Sequence, residues 1–260
     1  MPAPSIAVIG GSGFYTFLDA PTDQLVATPY GDVAVSTGVV AGREVAFLPR
    51  HGAHHEHPPH GVNYRGNLWA LRSLGVRQVI GPCAVGSLKP ELGPGTLVVP
   101  DQLVDRTSGR VQTYVETGAS HAPFADPYCP RISAHLTAAD DEIVAGGAMV
   151  VIEGPRFSTR AESQWYAGQG WSLVNMTGHP EAVLARELGL CYSALALVTD
   201  LDAGLEAGEG VSQAEVFALF AKNIDRLKAL LVGVIEDLPD PAGCTCASWM
   251  DGIDLAYELP

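Results

Sequence analysis

The sequence is poor in positive charge. Its 260 residues include 15 lysines and arginines against 29 aspartates and glutamates, a formal net charge of −14. A protein that binds nucleic acid in general needs a basic face, and no cluster of lysine or arginine occurs here, so that class is excluded. An anionic ligand would need a local pocket of arginine, histidine and backbone N–H groups, because the overall field of the protein repels it.

Long hydrophobic runs are also absent. No apolar run reaches the roughly 18 residues of a membrane helix, and residues 1–5 carry no basic segment of the kind that opens a secretion signal. These absences predict a cytoplasmic protein without membrane association.

Cysteines are few and spread along the chain. There are five, and an odd number in a chain of this kind predicts reduced thiols. Cys244 and Cys246 do not have the spacing of a zinc ribbon and no second pair accompanies them. We expect them to be incidental thiols in an exposed C-terminal tail at about 240–260, and we expect no metal site.

The elements that are present alternate. Hydrophobic residues make up 47% of the chain and charged residues 17%, which is typical of a globular protein. Apolar runs such as 190–198 predict buried strands, and periodic segments such as 64–74 predict helices. This alternation predicts an α/β fold in which a mixed or largely parallel central sheet is flanked by helices. Since no linker or repeat interrupts the pattern, residues 1–260 are expected to form a single domain.

Polar or glycine-rich clusters follow several of the predicted strands. In open α/β sheets, ligands bind beyond the carboxyl ends of the strands. We therefore expect one pocket to be formed by the clusters at residues 10–13, 49–52, 81–87, 175–179 and 199–202.

Two of these clusters are suited to an anion. The turn at 10–13 offers backbone N–H groups, although it lacks the complete dinucleotide and Walker fingerprints and is also compatible with a simple tight turn. Arg50 and His51 come directly after a predicted strand, and arginine binds phosphate oxygens through parallel N–H groups. A surface arginine in a loop is the alternative, and both interpretations stay open on the residues alone.

A histidine-rich loop follows Arg50. His51 and His55 are four residues apart, as in a helical zinc pair, but Pro58 and Pro59 oppose a stable helix there. A solvated loop that contributes one or two residues to the site is the favoured interpretation.

Asp200 and Asp202 follow a strongly apolar strand. Two carboxylates at positions i and i+2 point the same way if the chain stays extended, and such a pair in a cleft raises one pKa and holds a proton near neutrality. This arrangement suits hydrogen bonding to the edge of a base that presents donors. The alternative is a turn with two solvated acids.

Taken together, the motifs resemble those of the 5′-methylthioadenosine phosphorylase branch of the trimeric purine nucleoside phosphorylases. The likeness extends from the turn at 10–13 to the final long helix, and the segments that carry it are 9–13, 50–52, 62–64, 86–87, 101–107, 152–157, 175–177, 180–181 and 199–202. The resemblance implies a mixed α/β phosphorylase fold, a homotrimer, and nucleoside and inorganic phosphate as co-substrates. It implies no metal and no cofactor.

The resemblance also implies roles for individual residues. Phosphate-binding positions are matched by Ser12, Arg50, His51, Cys83, Ala84 and Thr177. Nucleoside-binding positions are matched by Met176 at the ribose, by Phe157 and Ser158 at the purine, and by Asp200 and Asp202 at purine N7 and the 6-amino group. The two aspartates are the expected catalytic residues. His121 matches a residue that a neighbouring subunit contributes.

Three positions bear on specificity. The 6-oxopurine branch typically has asparagine where this chain has Asp200, so adenine recognition is implied. Cys83 stands where threonine is common, and Gln213 stands where valine often fills the 5′ pocket, whose apolar wall is expected from Val216 and Phe217.

The implied reaction is the reversible phosphorolysis of 5′-methylthioadenosine to adenine and 5-methylthioribose 1-phosphate. The alternative is a purine nucleoside phosphorylase that acts on adenosine, inosine or methylthioinosine.

Overall fold

The computed structural model describes residues 3–203 and 211–260. In these ranges eleven strands form one mixed sheet and five α-helices flank it, as the alternation of apolar runs and helical patterns predicts. The strands are β1 (Ile6–Gly10), β2 (Thr22–Val26), β3 (Val33–Val40), β4 (Arg43–Pro49), β5 (Gln78–Ser87), β6 (Leu97–Val99), β7 (Gln102–Arg106), β8 (Val144–Ala145), β9 (Ala148–Ile152), β10 (Leu173–Asn175) and β11 (Cys191–Leu201). The helices are α1 (Tyr64–Ser73), α2 (Pro130–Ala138), α3 (Arg160–Gly168), α4 (Gly178–Glu187) and α5 (Gln213–Asp237).

The sheet divides at β5. One path runs in the order β2-β3-β4-β1-β5-β10-β9-β7, and a second leaves β5 through β11 to β6 and β8. Strands β4, β1, β5 and β11 are mutually parallel where they pair. Their carboxyl ends therefore lie at one edge, where Gly10 is in register with Pro49 and Gly86 is in register with Asp200. This edge is where a ligand site is expected in a sheet of this type.

Strand β5 is longer than the sequence predicts. Its pattern indicated a strand that ends at residue 80 and a glycine-rich loop at 81–87, but the strand continues to Ser87. Its glycines do not form a turn; they allow neighbouring side chains to pack closely against the strand. A Cβ at Gly81 would lie 2.6 Å from the Tyr192 hydroxyl, and one at Gly86 would lie 3.0 Å from Asp200 Oδ1.

Apolar side chains fill both faces of the sheet. One core cluster includes Leu68 of α1 and Leu184 of α4, and the other includes Ile132 of α2 and Leu227 of α5. Each helix presents one apolar stripe to the sheet, so the architecture has helices on both sides. Among the residues that are described, no helix has both the length and the apolar character of a membrane span.

The C-terminal segment is not an exposed tail. Cys246 is 4% exposed and belongs to the core cluster under α2 and α5. The indole N–H of Trp249 donates to the Arg186 carbonyl, and the Tyr257 hydroxyl donates to the Glu187 carbonyl. The expectation of incidental exposed thiols is therefore wrong, because the segment folds back and buries Cys246 in the core.

Candidate active site

A cavity of about 390 Å³ lies at the edge where the parallel strands end. Its size is in the range of small-molecule sites. Fourteen of the fifteen site residues expected from the sequence line it: Ser12, Arg50, His51, Cys83, Ala84, Phe157, Ser158, Met176, Thr177, Asp200, Asp202, Gln213, Val216 and Phe217. The exception is His121, which is exposed and does not line the cavity of its own chain.

The glycine-rich turn after β1 closes one end of the cavity, called here the anion end. Phe14 N–H donates to the Gly11 carbonyl at 3.0 Å, and Gly13 has a left-handed φ of +80°. A Cβ at Gly11 would lie 2.9 Å from the Pro82 carbonyl oxygen and 3.0 Å from Arg50 Nη1. Glycine is thus needed both for the turn and for its approach to Arg50. Ser12 lies in this turn and lines the cavity.

Arg50 is held by a buried ion pair with Glu181. Its Nε and Nη2 donate to the two carboxylate oxygens at 2.6 and 2.7 Å, and the side chains are 2% and 1% exposed. Nη1 donates to the Pro82 carbonyl and Nη2 also donates to the Ile9 carbonyl. Four of the five guanidinium donors are thereby engaged, which leaves one N–H on Nη1 for an anion in the cavity. The hydroxyl of Tyr192 completes the network with a 2.7 Å bond to Glu181.

His51 is neutral at physiological pH. Burial lowers its pKa to about 4, although a hydrogen bond to the backbone opposes this shift. Nδ1 lies 2.8 Å from the His57 carbonyl, which only accepts, so Nδ1 carries the proton and Nε2 has a free lone pair. The ring of His55 stacks on His51 at 4.5 Å, and Tyr15 is hydrogen bonded to His55. The loop thus contributes His51 and His55 to the cavity lining, and within 3–203 and 211–260 none of its histidines belongs to a group of three potential metal ligands.

Asn175 arranges the start of α4 at the same end. Its Oδ1 accepts from the N–H groups of Thr177 and Gly178 at 2.8 and 2.7 Å, and its Nδ2 donates to the Ala84 carbonyl. The Thr177 side chain makes no capping bond of its own. Its hydroxyl is therefore available to a ligand.

Cys83 reaches the cavity from β5 and stays protonated. Burial raises the pKa of its thiol to about 12, and the charge of Arg50 only partly opposes this. A neutral thiol is a weak hydrogen-bond donor. The side chain at this position therefore contributes less to anion binding than a hydroxyl would.

Asp200 and Asp202 form the opposite end of the cavity, called here the base end. The register of β11 against β5 shifts between Val198 and Asp200, and this irregularity turns both carboxyl groups against Gly86. Thr199 Oγ1 donates to Asp200 at 2.7 Å, and Ser163 Oγ donates to Asp202.

Both carboxyl groups hold protons more tightly than a solvated aspartate. Burial raises the pKa of Asp200 to about 6, the Thr199 hydroxyl opposes the shift, and the charge of Asp202 adds to it. Burial also raises the pKa of Asp202, and the bond from Ser163 opposes that shift. A carboxyl group with these properties can donate a proton near neutral pH.

Apolar side chains connect the two ends. Phe217 lies edge-on to His55 with ring centres 5.7 Å apart, which brings the start of α5 over the cavity. Val216 is half-buried beside it, whereas Gln213 is exposed at the rim. Ser158 Oγ is buried and makes no hydrogen bond within the described part of the chain. It lies near Asp202, whose raised pKa it helps to oppose.

The sequence motifs did not indicate every residue that builds the site. Glu181 lies in the segment 180–181 that carries the resemblance, but it is not among the expected site residues. The buried Arg50 next to it in space could not be charged without a partner. Arg110 lies in the irregular stretch at 109–130 and ties two loops of the site together. It donates to the carbonyls of Glu153, Met176 and His179 at 2.6, 2.8 and 2.6 Å. No sequence pattern marked these backbone contacts.

Comparison with known proteins gives consistent results. The profile of the phosphorylase superfamily matches residues 5–236. An S-methyl-5′-thioadenosine phosphorylase from Mycobacterium tuberculosis is 59% identical over 98% of this chain and 97% of its own length. A purine nucleoside phosphorylase from Streptomyces coelicolor is 57% identical over 98% and 97%.

A solved structure has the same fold. The methylthioadenosine phosphorylase from Schistosoma mansoni in complex with adenine superimposes with a TM-score of 0.90 at 34% identity, covering 95% of this chain and 96% of the other. The cavity at the carboxyl edge of a mixed sheet, the profile match over most of the chain and these full-length similarities agree with the resemblance in the motifs. The chain belongs to the phosphorylase superfamily.

Proposed function

We propose that the protein catalyses the reversible phosphorolysis of 5′-methylthioadenosine to adenine and 5-methylthioribose 1-phosphate. The observation that carries this proposal is Asp200, a half-buried carboxyl group with a pKa of about 6 at the base end of the cavity. A carboxyl group suits the N7 and 6-amino edge of adenine, since it donates when protonated and accepts when ionised. The names of the Mycobacterium tuberculosis and Schistosoma mansoni relatives support the same substrate.

Phosphate binds at the anion end in this proposal. Ser12, the remaining N–H of Arg50 and the Thr177 hydroxyl supply donors, and Ala84 of β5 also lines the cavity. Monohydrogen phosphate binds as a dianion, and its O–H donates to the lone pair on Nε2 of neutral His51. The dianion then faces the sugar and stabilises the positive charge that develops at C1′ as the glycosidic bond breaks.

The proton balance follows from the two ends of the cavity. The leaving adenine must gain one proton, and the phosphate that forms the new C1′–O bond must lose one. Asp200 gives its proton to N7 as general acid. The phosphate O–H, hydrogen bonded to His51, loses its proton to solvent as the C1′–O bond forms, and solvent reprotonates Asp200 after product release. Positioning the two reactants removes much of the entropic barrier, and neither a covalent enzyme intermediate nor a cofactor takes part.

The alternative substrate is another purine nucleoside. The Streptomyces coelicolor relative carries the name purine nucleoside phosphorylase, and the exposed Gln213 could bond a 5′-hydroxyl. Asp200 argues for a 6-aminopurine, because an ionised carboxylate opposite a 6-oxo group would place two acceptors together.

We further infer a single domain that assembles as a homotrimer in which His121 of one subunit completes the neighbouring cavity. Its exposure in its own chain supports this role. Light scattering should give three chains per particle. Mixing Asp200→Asn and His121→Ala subunits should restore activity above either variant, and a fully active monomer would contradict the shared site. The cytoplasmic location stays a prediction.

Phosphate dependence tests the reaction itself. Adenine release from methylthioadenosine should require added phosphate and should produce 5-methylthioribose 1-phosphate. Adenosine and inosine assayed in parallel should be poorer substrates. Equal rates with phosphate rigorously removed would identify a hydrolase, and a preference for inosine would favour the alternative substrate.

A further inference from the structure

Four cysteines meet on the side of the fold away from the cavity. They are Cys129 before α2, Cys191 at the start of β11, and Cys244 and Cys246 in the C-terminal segment. Their sulfur atoms all lie within 4.8 Å of one another, and three of the four residues are buried. Within the described ranges this is the only group of three or more potential metal ligands.

The separations are those of ligands around one ion. Cys129 Sγ lies 3.6 Å from Cys244 Sγ, and Cys244 Sγ lies 3.5 Å from Cys246 Sγ. A tetrahedron of sulfurs at a Zn–S distance of about 2.3 Å has edges of about 3.8 Å. All four cysteines are free thiols in this structure, and a bonded sulfur pair would lie at about 2.05 Å.

The backbone holds three of the ligands in place before any ion binds. Cys129 N–H donates to the Tyr192 carbonyl at 2.7 Å, Cys191 N–H donates to the Arg77 carbonyl at 2.9 Å, and Cys244 N–H donates to the Pro241 carbonyl at 2.8 Å. The first two bonds fix Cys129 and Cys191 to neighbouring parts of the sheet. A preorganised ligand set of this kind reduces the ordering that binding requires.

The surroundings also balance the charge. Four thiolates and one Zn²⁺ carry a net charge of about −2, which a buried site must offset. Cys129 occupies the N-cap position of α2, where the helix dipole favours a negative group. Arg131 lies next to the cluster, and its Nε is buried and without a hydrogen-bond partner among the residues described. Its other nitrogens donate to Pro239 and Gln78.

We propose that Cys129, Cys191, Cys244 and Cys246 form a closed tetrathiolate site for Zn²⁺ that fastens the C-terminal segment to β11 and α2. Soft thiolate ligands in a tetrahedral set favour zinc, and four protein ligands leave no open position for a substrate. The site is therefore structural. It lies at the opposite end of β11 from Asp200 and Asp202, so its effect on the reaction passes through the stability of that strand.

This inference replaces the expectation that the chain has no metal site. The local spacing of Cys244 and Cys246 gave no zinc signature because the other two ligands come from distant points of the sequence. Only the folded chain brings the three segments together.

Metal content provides the first test. The untagged protein, purified under reducing conditions without chelator and then dialysed against metal-free buffer, should contain about one zinc per chain by mass spectrometry. Cys244→Ser and Cys246→Ser should each lose most of it. Cys83→Ser is the matched control, since it removes a buried thiol outside the cluster and should retain the metal. Zinc-free protein that takes up no zinc when reconstituted under reducing conditions would overturn the proposal.

Two further readouts do not depend on activity. Replacement of zinc by Co²⁺ should give the intense visible bands of a tetrahedral tetrathiolate, absent in Cys244→Ser even if that variant folds. A mercurial reagent should release zinc in step with the modification of four thiols. Fewer than five reactive thiols in the denatured, metal-free protein would show that cysteines are joined in disulfides, which would overturn the proposal. Iron in place of zinc would contradict the choice of metal.

Discussion

The anion end and the base end of the cavity hold their charged groups in different ways. Arg50 at the anion end is fixed by a bidentate pair with Glu181 and by two carbonyls, and it is 2% exposed. At the base end Asp200 receives one hydrogen bond, from Thr199, within the described residues. The first group is permanently charged and rigid, whereas the second is poised between two protonation states.

This difference matches what each substrate requires. Phosphate arrives as an anion and needs a fixed positive field throughout the reaction, so a preorganised cation is appropriate. The purine gains negative charge as the glycosidic bond breaks, and N7 becomes more basic. A group with a pKa near neutrality is therefore appropriate, because it can donate a proton at that point. Substitutions at the base end should therefore act mainly on rate, and substitutions at the anion end should act mainly on folding.

Asp200→Asn should have the largest effect. The amide cannot give up a proton to N7, so turnover of methylthioadenosine should fall about 10²–10⁴-fold, the usual contribution of general acid catalysis. Because asparagine offers both a donor and an acceptor, the relative preference for inosine-type substrates should rise. Steady-state kinetics with both substrates checks this, and the melting temperature should stay close to that of the wild type. A variant with the wild-type rate and preference would show that Asp200 has a structural role only.

Arg50→Ala should mainly destabilise the fold. Removing the guanidinium leaves Glu181 buried and unpaired, which costs about 3–5 kcal/mol. Urea unfolding should show this loss directly. The control is Arg156→Ala, which breaks a bidentate pair with Glu162 whose arginine is 65% exposed, and should cost less than about 1 kcal/mol. Equal losses in the two variants would contradict the distinction between a buried and an exposed pair.

Arg50→Lys separates binding from folding at the same position. The lysine keeps a positive charge beside Glu181 but cannot form the two parallel bonds. The KM for phosphate should rise while most of the stability remains. An unchanged KM for phosphate in a folded Arg50→Lys protein would remove Arg50 from the anion site.

The pH profile should report the base end alone. With a pKa of about 6, Asp200 is protonated below that pH and loses its proton above it. At saturating phosphate, kcat/KM for methylthioadenosine should therefore fall as pH rises above about 6, approaching tenfold per unit. His51, with a pKa of about 4, stays neutral over this range. The falling limb should disappear in Asp200→Asn, and its persistence there would assign it to another group.

Much of the fold was predictable because its signals are local. The hairpin of β3 and β4, helix α1, strand β9 and the capping box of α3 at Thr159 and Glu162 all follow from patterns within a few residues. The strands that sequence patterns missed, β2, β7 and β8, are mostly exposed and show no apolar alternation. Their pairing partners, not their own composition, make them strands.

The residues that line the cavity were predictable from the sequence, but the residues that hold them in place were not. Residues such as Arg50 and Asp202 belong to recognisable segments that border the cavity. Glu181 and Ser163 act on those residues from other helices, and the four-cysteine cluster joins three separate segments. Such partners are chosen by three-dimensional packing, for which a single sequence has no local pattern.

The smallest expected effect concerns the rim between the two ends. Gln213 is exposed beside the half-buried Val216 and Phe217 and could bond a 5′-hydroxyl. The wild type should therefore prefer methylthioadenosine but still turn over adenosine. Gln213→Val would remove the polar group and extend the apolar wall by about one methylene-sized contact, worth about 0.8 kcal/mol or roughly a fourfold change in preference. The ratio of kcat/KM for methylthioadenosine to that for adenosine should rise by this factor, while the KM for phosphate stays constant because the anion end is untouched.

Gln213→Glu is the matched control, since it keeps the length and polarity of the side chain and should not raise the ratio. If Gln213→Val leaves the ratio unchanged, the rim does not contact the 5′ group, and the choice between sulfur and hydroxyl is made deeper in the cavity.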